Sequence, residues 1–145
     1  MKITILDKEN PSEEDEIIIK CSSLDESIIK LLNALKHGKD KISVYKDSTI
    51  ILLDYSEILY FESVDDRVFA YTNNQVYESR QKLYQLEEEL PSSFLRANKA
   101  VIVNVNKIEN LSPDFSGRIE AILSNDCRVI FSRMYVPVLK KYLGL

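Results

Sequence analysis

The strongest constraint on the fold is a succession of short segments rich in Ile, Val, Tyr and Phe that starts just after Lys41. Ile42 to Lys46, Thr49 to Leu53, Ile58 to Glu62, Arg67 to Thr72 and Gln75 to Glu78 come first; Val101 to Val105, Ile108 to Leu111, Arg118 to Leu123 and Arg128 to Phe131 follow. β-Branched and aromatic side chains suit a pleated, half-buried surface, so each segment reads as a strand. The separators are turn formers: Asp47-Ser48, Asp65-Asp66, Asn73-Asn74, Ser112-Pro113-Asp114 and Asn125-Asp126. Asn and Asp tolerate the left-handed backbone of a tight hairpin. Turn signals every 8 to 12 residues or so predict packed antiparallel sheets rather than a parallel α/β core.

Helical periodicity interrupts this pattern at three places. Leu83, Leu86 and Leu90 are spaced by three and four, with Ser79 as the expected cap and Pro91 as the stop. Ser132 opens a final helical segment that closes at Gly144, with Lys140 and Lys141 where positive charge suits the helix dipole. Near the N-terminus, Ser23 and Glu26 spell a capping box, followed by an apolar stripe of Leu24, Ile28, Leu31, Leu32 and Leu35, and Gly38 closes the helix. Ahead of it, Ile3 to Leu6 and Ile17 to Cys21 read as two short strands around a polar loop containing Pro11. The expected architecture is therefore mainly β, an antiparallel β-sheet arrangement with short helices and a small N-terminal strand-helix appendage. The boundary falls near residue 40, giving an appendage over 1–40 and a main domain over 41–145. The leucine stripe of the appendage must be buried, either against the rest of the chain or against a second copy.

With 145 residues, 45% hydrophobic and 29% charged, the chain can build one core or one domain with an appendage, not a multidomain enzyme. Its longest apolar runs, such as Ile50 to Leu53 and Ala100 to Val103, fall far short of the roughly 20 residues that span a bilayer. Charged residues from Asp7 to Glu16 interrupt any signal-peptide core. Cys21 and Cys127 stand apart, in no metal or disulfide spacing. A reduced, cytoplasmic setting is the expectation.

The net charge of -4 conceals a division. Residues 91–145 carry eight basic groups (Arg96, Lys99, Lys107, Arg118, Arg128, Arg133, Lys140, Lys141) against four acidic ones (Glu109, Asp114, Glu120, Asp126), a net +4 that leaves -8 in residues 1–90. Such asymmetry is a cue for a polyanion-binding face, although clustering on a solvated surface produces it as well.

Catalytic chemistry has little to build on. His37 is the only histidine and sits at the end of an amphipathic helix, where an exposed polar role is the simpler reading. Three glycines, Gly38, Gly117 and Gly144, allow neither a P-loop nor a dinucleotide fingerprint. Adjacent Asp65 and Asp66 between two strands are a hairpin turn before they are a metal or acid-base pair. No cofactor, metal or small-molecule substrate is expected.

The informative stretches are 93–104, which runs through Arg96, Asn98 and Lys99, and 132–135, which contains Arg133 and Tyr135. Both place basic or amide groups at junctions between apolar runs, where loops project them from the core. Arginine or lysine can donate to guanine O6 and N7, and asparagine can pair with adenine, each pairing being worth about 1 to 3 kcal/mol of discrimination. On spacing alone, Asn98 as a turn former and Lys99 and Arg133 as solvated or ion-paired groups is the simpler alternative.

Four blocks, in order and spacing, resemble the LytTR family of DNA-binding domains: Ile58 to Glu62, Tyr84 to Pro91, Phe94 to Ala100 with Val103-Asn104, and Ser132 to Tyr135. The resemblance covers residues 42 to 143. It implies an elongated β arrangement whose loops enter successive major grooves on one side of double-stranded DNA, with no recognition helix. The family's central block resembles Phe-x-Arg-x-His followed by a polar residue and Ser, which sets Asn98 on the histidine, Lys99 on the base-reading position and Ala100 on the serine. Arg133 matches the arginine of the Ser-Arg pair. Lys99 and Arg133 are thus the expected base readers, while Arg96, Asn98 and Tyr135 hold phosphate or brace the loops, and Ser132 caps the last helix. Glu62 and Asn104 match positions that orient strands. A third family contact falls near Asp65 to Arg67, where the two aspartates oppose phosphate and Arg67 is the substitute. A phosphoacceptor receiver, common ahead of this domain, does not fit into residues 1–40. The appendage then serves homodimerisation on paired sites or contact with a regulator; the chain resembles stand-alone members of the family, some of which are controlled by a companion membrane protein. The implied function is a sequence-specific, non-enzymatic transcription regulator. The alternative is a protein-interaction module of the same fold that has lost DNA binding.

Overall fold

The computed structural model describes residues 2–37 and 41–145, with the side chains of residues 33–37 left aside. The chain divides into two compact units, Met1–Gly38 and Lys39–Leu145.

In the first unit, helix α1 spans Glu26–His37. Its start is one turn signal later than the sequence suggested. Asp25, not Ser23, caps it, accepting the Ile28 N–H at 3.0 Å and the Ser27 hydroxyl at 2.7 Å. The Ser27 hydroxyl first, then the Ile28 amide, hold the Asp25 carboxyl below its ordinary range. The two expected strands are not formed among the described residues. Ile3 to Leu6 and Ile17 to Cys21 pair with nothing, and Ile3, Ile5, Leu6, Ile17 and Ile18 are exposed. Strand propensity is only a fit to a pleated surface, and without a ladder partner it produces no strand. In the stripe, Ile28 is buried while Leu24 and Leu31 are exposed. Gly38 and the side chains of Leu35 and His37 lie outside the described residues.

The second unit is mainly β, as expected. Strands β1 (Lys41–Lys46), β2 (Thr49–Asp54), β3 (Tyr60–Val64), β4 (Arg67–Tyr71), β5 (Val76–Ser79), β6 (Phe94–Asn98) and β7 (Val101–Asn104) form one sheet in the order β2-β1-β5-β4-β3-β7-β6. Strands β8 (Ile108–Pro113), β9 (Ile119–Leu123) and β10 (Arg128–Phe131) form a second, in the order β10-β9-β8. Every pairing is antiparallel. The hairpins close where the turn residues stand: Asp47, Asp65, Asp66 and Asp126 all adopt positive φ, the backbone that tight hairpin turns require. Asp65-Asp66 is therefore a turn.

Helix α2 (Leu83–Glu89) is not capped by Ser79, which ends β5; instead the Gln85 side chain reaches back to the Lys82 N–H at 2.8 Å. Helix α3 (Val136–Leu143) starts four residues after Ser132, which contributes its carbonyl to the N–H groups of Tyr135 and Val136 rather than a side-chain cap. Gly144 at φ 74 ends it, as expected.

Two apolar clusters hold these elements together. Ile42, Val44, Phe61 and Ile102 meet Leu83, Leu86 and Leu90 of the α2 region in one. Leu59, Val103, Leu123, Phe131 and Leu139 of α3 meet in the other. The alternation of a strand divides them: Ile102 belongs to the first, and its neighbours Val101 and Val103 to the second. Strand β7 is thus covered on both faces, and all four of its residues are buried. Asn104, buried at its end, donates to the Ile58 carbonyl at 2.9 Å and accepts from the Asn106 N–H at 3.1 Å, the strand-orienting role its position suggested.

Beside it, Tyr60 and Tyr71 stack with centroids 4.4 Å apart, and the Tyr71 hydroxyl donates to Glu62 at 3.3 Å. Burial first, then nearby negative groups, raise both phenols above their ordinary value of 10.0. A raised folded-state value means stability is complete below the unfolded value and is lost as pH rises through the folded one. Denaturant midpoints should therefore fall from about pH 10 upward, and Tyr60→Phe should flatten that fall in a pH series. An unchanged alkaline limb in the variant would contradict this.

Candidate nucleic-acid interface

The 94–100 stretch is not a loop projecting from the core. Phe94–Asn98 is strand β6, at the edge of the large sheet, and the projecting element is the tight turn Lys99-Ala100 leading into β7. The strand was hidden because Arg96 and Asn98 break the apolar pattern. Neither turn residue adopts positive φ, so the turn is held by side chains instead. Asn98 Oδ1 accepts the Ala100 N–H at 2.9 Å. Arg96 donates through Nε to the Asn98 carbonyl at 2.8 Å, through Nη2 to the Lys99 carbonyl, and through Nη1 to Glu87 of α2 at 2.8 Å. Its side chain is only 20% exposed. Arg96 is thus a brace beneath the turn, with its donors directed inward.

A second set of bonds joins this turn to the end of β10. The ladder between β6 and β7 runs Arg96 to Ile102 and then Asn98 to Val101, leaving Ala97 as a bulge. The freed Ala97 carbonyl accepts the Ser132 N–H at 2.9 Å, and Asn98 Nδ2 donates to the Ile130 carbonyl at 2.8 Å. Lys99 and Arg133 are consequently carried by two neighbouring, cross-linked segments. Both are exposed, and among the described residues neither has a salt-bridge partner. Other cations do: Arg67 with Glu78, Arg96 with Glu87, Arg118 with Asp114 and Arg128 with Glu120.

The remaining candidates are placed differently. Tyr135 precedes α3, half-buried and packed on the second cluster. Arg67 is on the β3–β4 hairpin, clamped to Glu78 by Nε at 3.0 Å and Nη2 at 2.7 Å and lying 5.2 Å from the Phe69 ring centroid. That pairing raises the Arg67 value and lowers the Glu78 one. Its charge is offset within the protein. The hairpin itself stands beside the Lys99 turn, because the Ser63 N–H donates to the Ala100 carbonyl at 2.8 Å.

One residue that matters was not singled out from the sequence. Gly117, in the β8–β9 turn at φ 87, faces the Arg133 stem: a Cβ there would lie 3.0 Å from Cδ and 3.1 Å from Cγ. The signal was the Ser-Gly pair after Asp114, whose carboxylate gathers the N–H groups of Ser116 and Arg118 at 2.8 and 3.0 Å. Gly117→Ala should cost about 1 to 2 kcal/mol for the left-handed backbone and displace the guanidinium. A thermal melt reads the first effect, and an unchanged melting temperature would contradict it.

Comparison with known proteins matches this arrangement. The LytTr DNA-binding domain model matches residues 48–144. The chain belongs to the LytTR family. A solved LytTr DNA-binding domain from Bacillus cereus superposes with a TM-score of 0.70 at 28% identity, over 74% of this chain and 100% of that one. An uncharacterized HTH-type transcriptional regulator of Staphylococcus aureus (strain NCTC 8325) is 29% identical over 100% of this chain and 99% of its own length. Another, from strain MSSA476, is 32% identical over 83% of this chain and 81% of its own. Among the described residues the structure of the present LytTR protein offers no helix-turn-helix, which needs two consecutive helices. Strands separate α1 from α2 and α2 from α3 among the described residues. No described helix is long and apolar enough to cross a membrane.

Proposed function

We propose that this LytTR protein is a non-enzymatic, sequence-specific DNA-binding transcription regulator that works in the cytoplasm and reads bases in the major groove with Lys99 and Arg133. The observation that carries the reading is the pair of exposed cations without ionic partners among the described residues, mounted on two turns whose flanking segments hydrogen-bond to each other. A major groove about 12 Å wide admits a two-stranded β-ribbon, the kind of element that carries the Lys99 turn. Asn98 and Arg96 fix the Lys99 turn, the Gly117 turn lies against the Arg133 stem, Tyr135 closes the Arg133 turn through its N–H to the Ser132 carbonyl, and Arg67, already paired, adds little net charge. Titration of duplex DNA at two salt concentrations tests this: affinity should drop steeply as salt rises. No appreciable binding at either concentration would instead support a protein-interaction module, the role that a net charge of -4 and the acidic Asp65-Asp66 hairpin favour.

The brace makes a separate expectation. Arg96→Ala should loosen the Lys99 turn, so that preference for the specific duplex falls while the salt dependence is retained. A flattened salt slope with intact preference would make Arg96 a phosphate contact.

The first unit, with Leu24 exposed just ahead of α1 and Leu31 exposed on it, serves homodimerisation in this reading, and two half-sites raise affinity through effective concentration. A companion membrane protein is the other candidate for that surface. Sedimentation of the full chain against one starting at Lys41 separates them: dimer to monomer is expected, and an unchanged state removes the dimer role.

A further inference from the structure

The acidic Asp65-Asp66 turn beside Lys99 is an obstacle to a duplex unless cations flank it, and the fold supplies two. Strand pairing brings Arg80 and Lys82, from the segment between β5 and α2, to the same end of the large sheet as that turn: Val68 pairs with Ser79, while Val64 pairs with Arg67. Lys82 Nζ donates to the Asp66 carbonyl at 2.7 Å, placing its charge directly on the acidic turn. Arg80 is exposed, and its guanidinium carbon lies 3.8 Å from the Tyr45 ring centroid. A flat cation held against an aromatic face keeps its outer N–H donors free and its position fixed. Neither side chain forms a salt bridge among the described residues.

Their position suits one ligand chemistry. From β7, which leaves the Lys99 turn, to β5, which ends at Ser79 just before Arg80, there are three strand spacings in the sheet order, roughly 14 Å at the usual separation. A major groove is about 12 Å wide between its phosphate walls. We infer that Arg80 and Lys82 form a second contact point, for the phosphodiester backbone bordering the groove that the Lys99 turn enters. The pair also offsets Asp65 and Asp66. This rests on the DNA-binding reading above. It adds affinity without sequence information, since phosphates are the same at every base pair.

The test is fluorescence anisotropy across a salt series, with a duplex enriched by the wild-type protein from a random pool and a scrambled duplex of equal length. Arg80→Gln and Lys82→Gln should each weaken both duplexes by the same factor and reduce the slope of log affinity against log salt by about 0.9. Arg80→Lys should retain the wild-type slope, because charge rather than stacking carries the contact. Wild-type slopes in both glutamine variants, alongside an intact wild-type preference, would overturn the contact and leave the regulator reading standing. A loss of slope in Arg80→Lys equal to that in Arg80→Gln would overturn the Arg80 assignment. Failure of the wild-type protein to bind either duplex would overturn both readings.

Discussion

A Lys99→Ala, Arg133→Ala double variant is expected to bind a specific duplex hardly better than a scrambled one. Each base contact is worth about 1 to 3 kcal/mol, and the two side chains sit on separate turns that can address different base pairs, so their losses should combine. One such contact corresponds to roughly 5- to 150-fold in affinity. The core is untouched, since both residues are exposed, so the folded state should survive both changes. Competition anisotropy with the two duplexes measures the ratio. A double variant that keeps the wild-type ratio would remove these residues from base reading.

Phe131→Ala should produce the largest loss of stability, about 3 to 5 kcal/mol by the usual cost of emptying a buried aromatic site. Phe131 is fully buried in the second cluster and pairs with Ile119 in the ladder between β9 and β10. It is also the last strand residue before Ser132 and Arg133, so the cavity lies beneath the segment that carries a base reader. Urea unfolding should show a lower midpoint, and specific binding should weaken with it. A midpoint shift equivalent to under about 1 kcal/mol would mean that the cluster relaxes around the gap.

These expectations depend on features of unequal visibility in the sequence. Hairpins were legible because their determinants are local: Asp65, Asp66 and Asp126 adopt the left-handed backbone that Asp tolerates. The apolar and aromatic content of β1 to β5 and β7 to β10 likewise marked strands that the sheets contain. Strand β6 was not legible, because its polar residues answer to partners far along the chain. Asn98 bonds to Ile130, 32 residues away, and Arg96 to Glu87 on a helix. The failure of Ile3 to Leu6 and Ile17 to Cys21 to form strands has the same origin, since pairing is a property of two segments and propensity of one. Sheet order was equally hidden, with β1 beside β5 and β3 beside β7.

For the candidate site, the sequence named residues but not the partners that they meet in the fold. Lys99 and Arg133, which the family blocks single out, stand exposed in turns. Whether Asn98 formed a turn or reached a base was open from spacing; its side chain in fact makes two bonds within the protein, to Ala100 and Ile130. Arg67 and Arg96 look like free cations in the sequence, yet each is matched to a carboxylate in the fold. Ion pairing depends on register and helix placement, which charge counts do not contain.

The most direct test is to enrich bound duplexes from a random pool with the wild-type protein and, in parallel, with Arg133→Ala. The wild-type pool should converge on a defined motif, and the variant pool should lose information at one cluster of positions while keeping the rest. A wild-type pool that stays random, or two identical motifs, would contradict the assignment of the Lys99 and Arg133 turns to the DNA-reading surface.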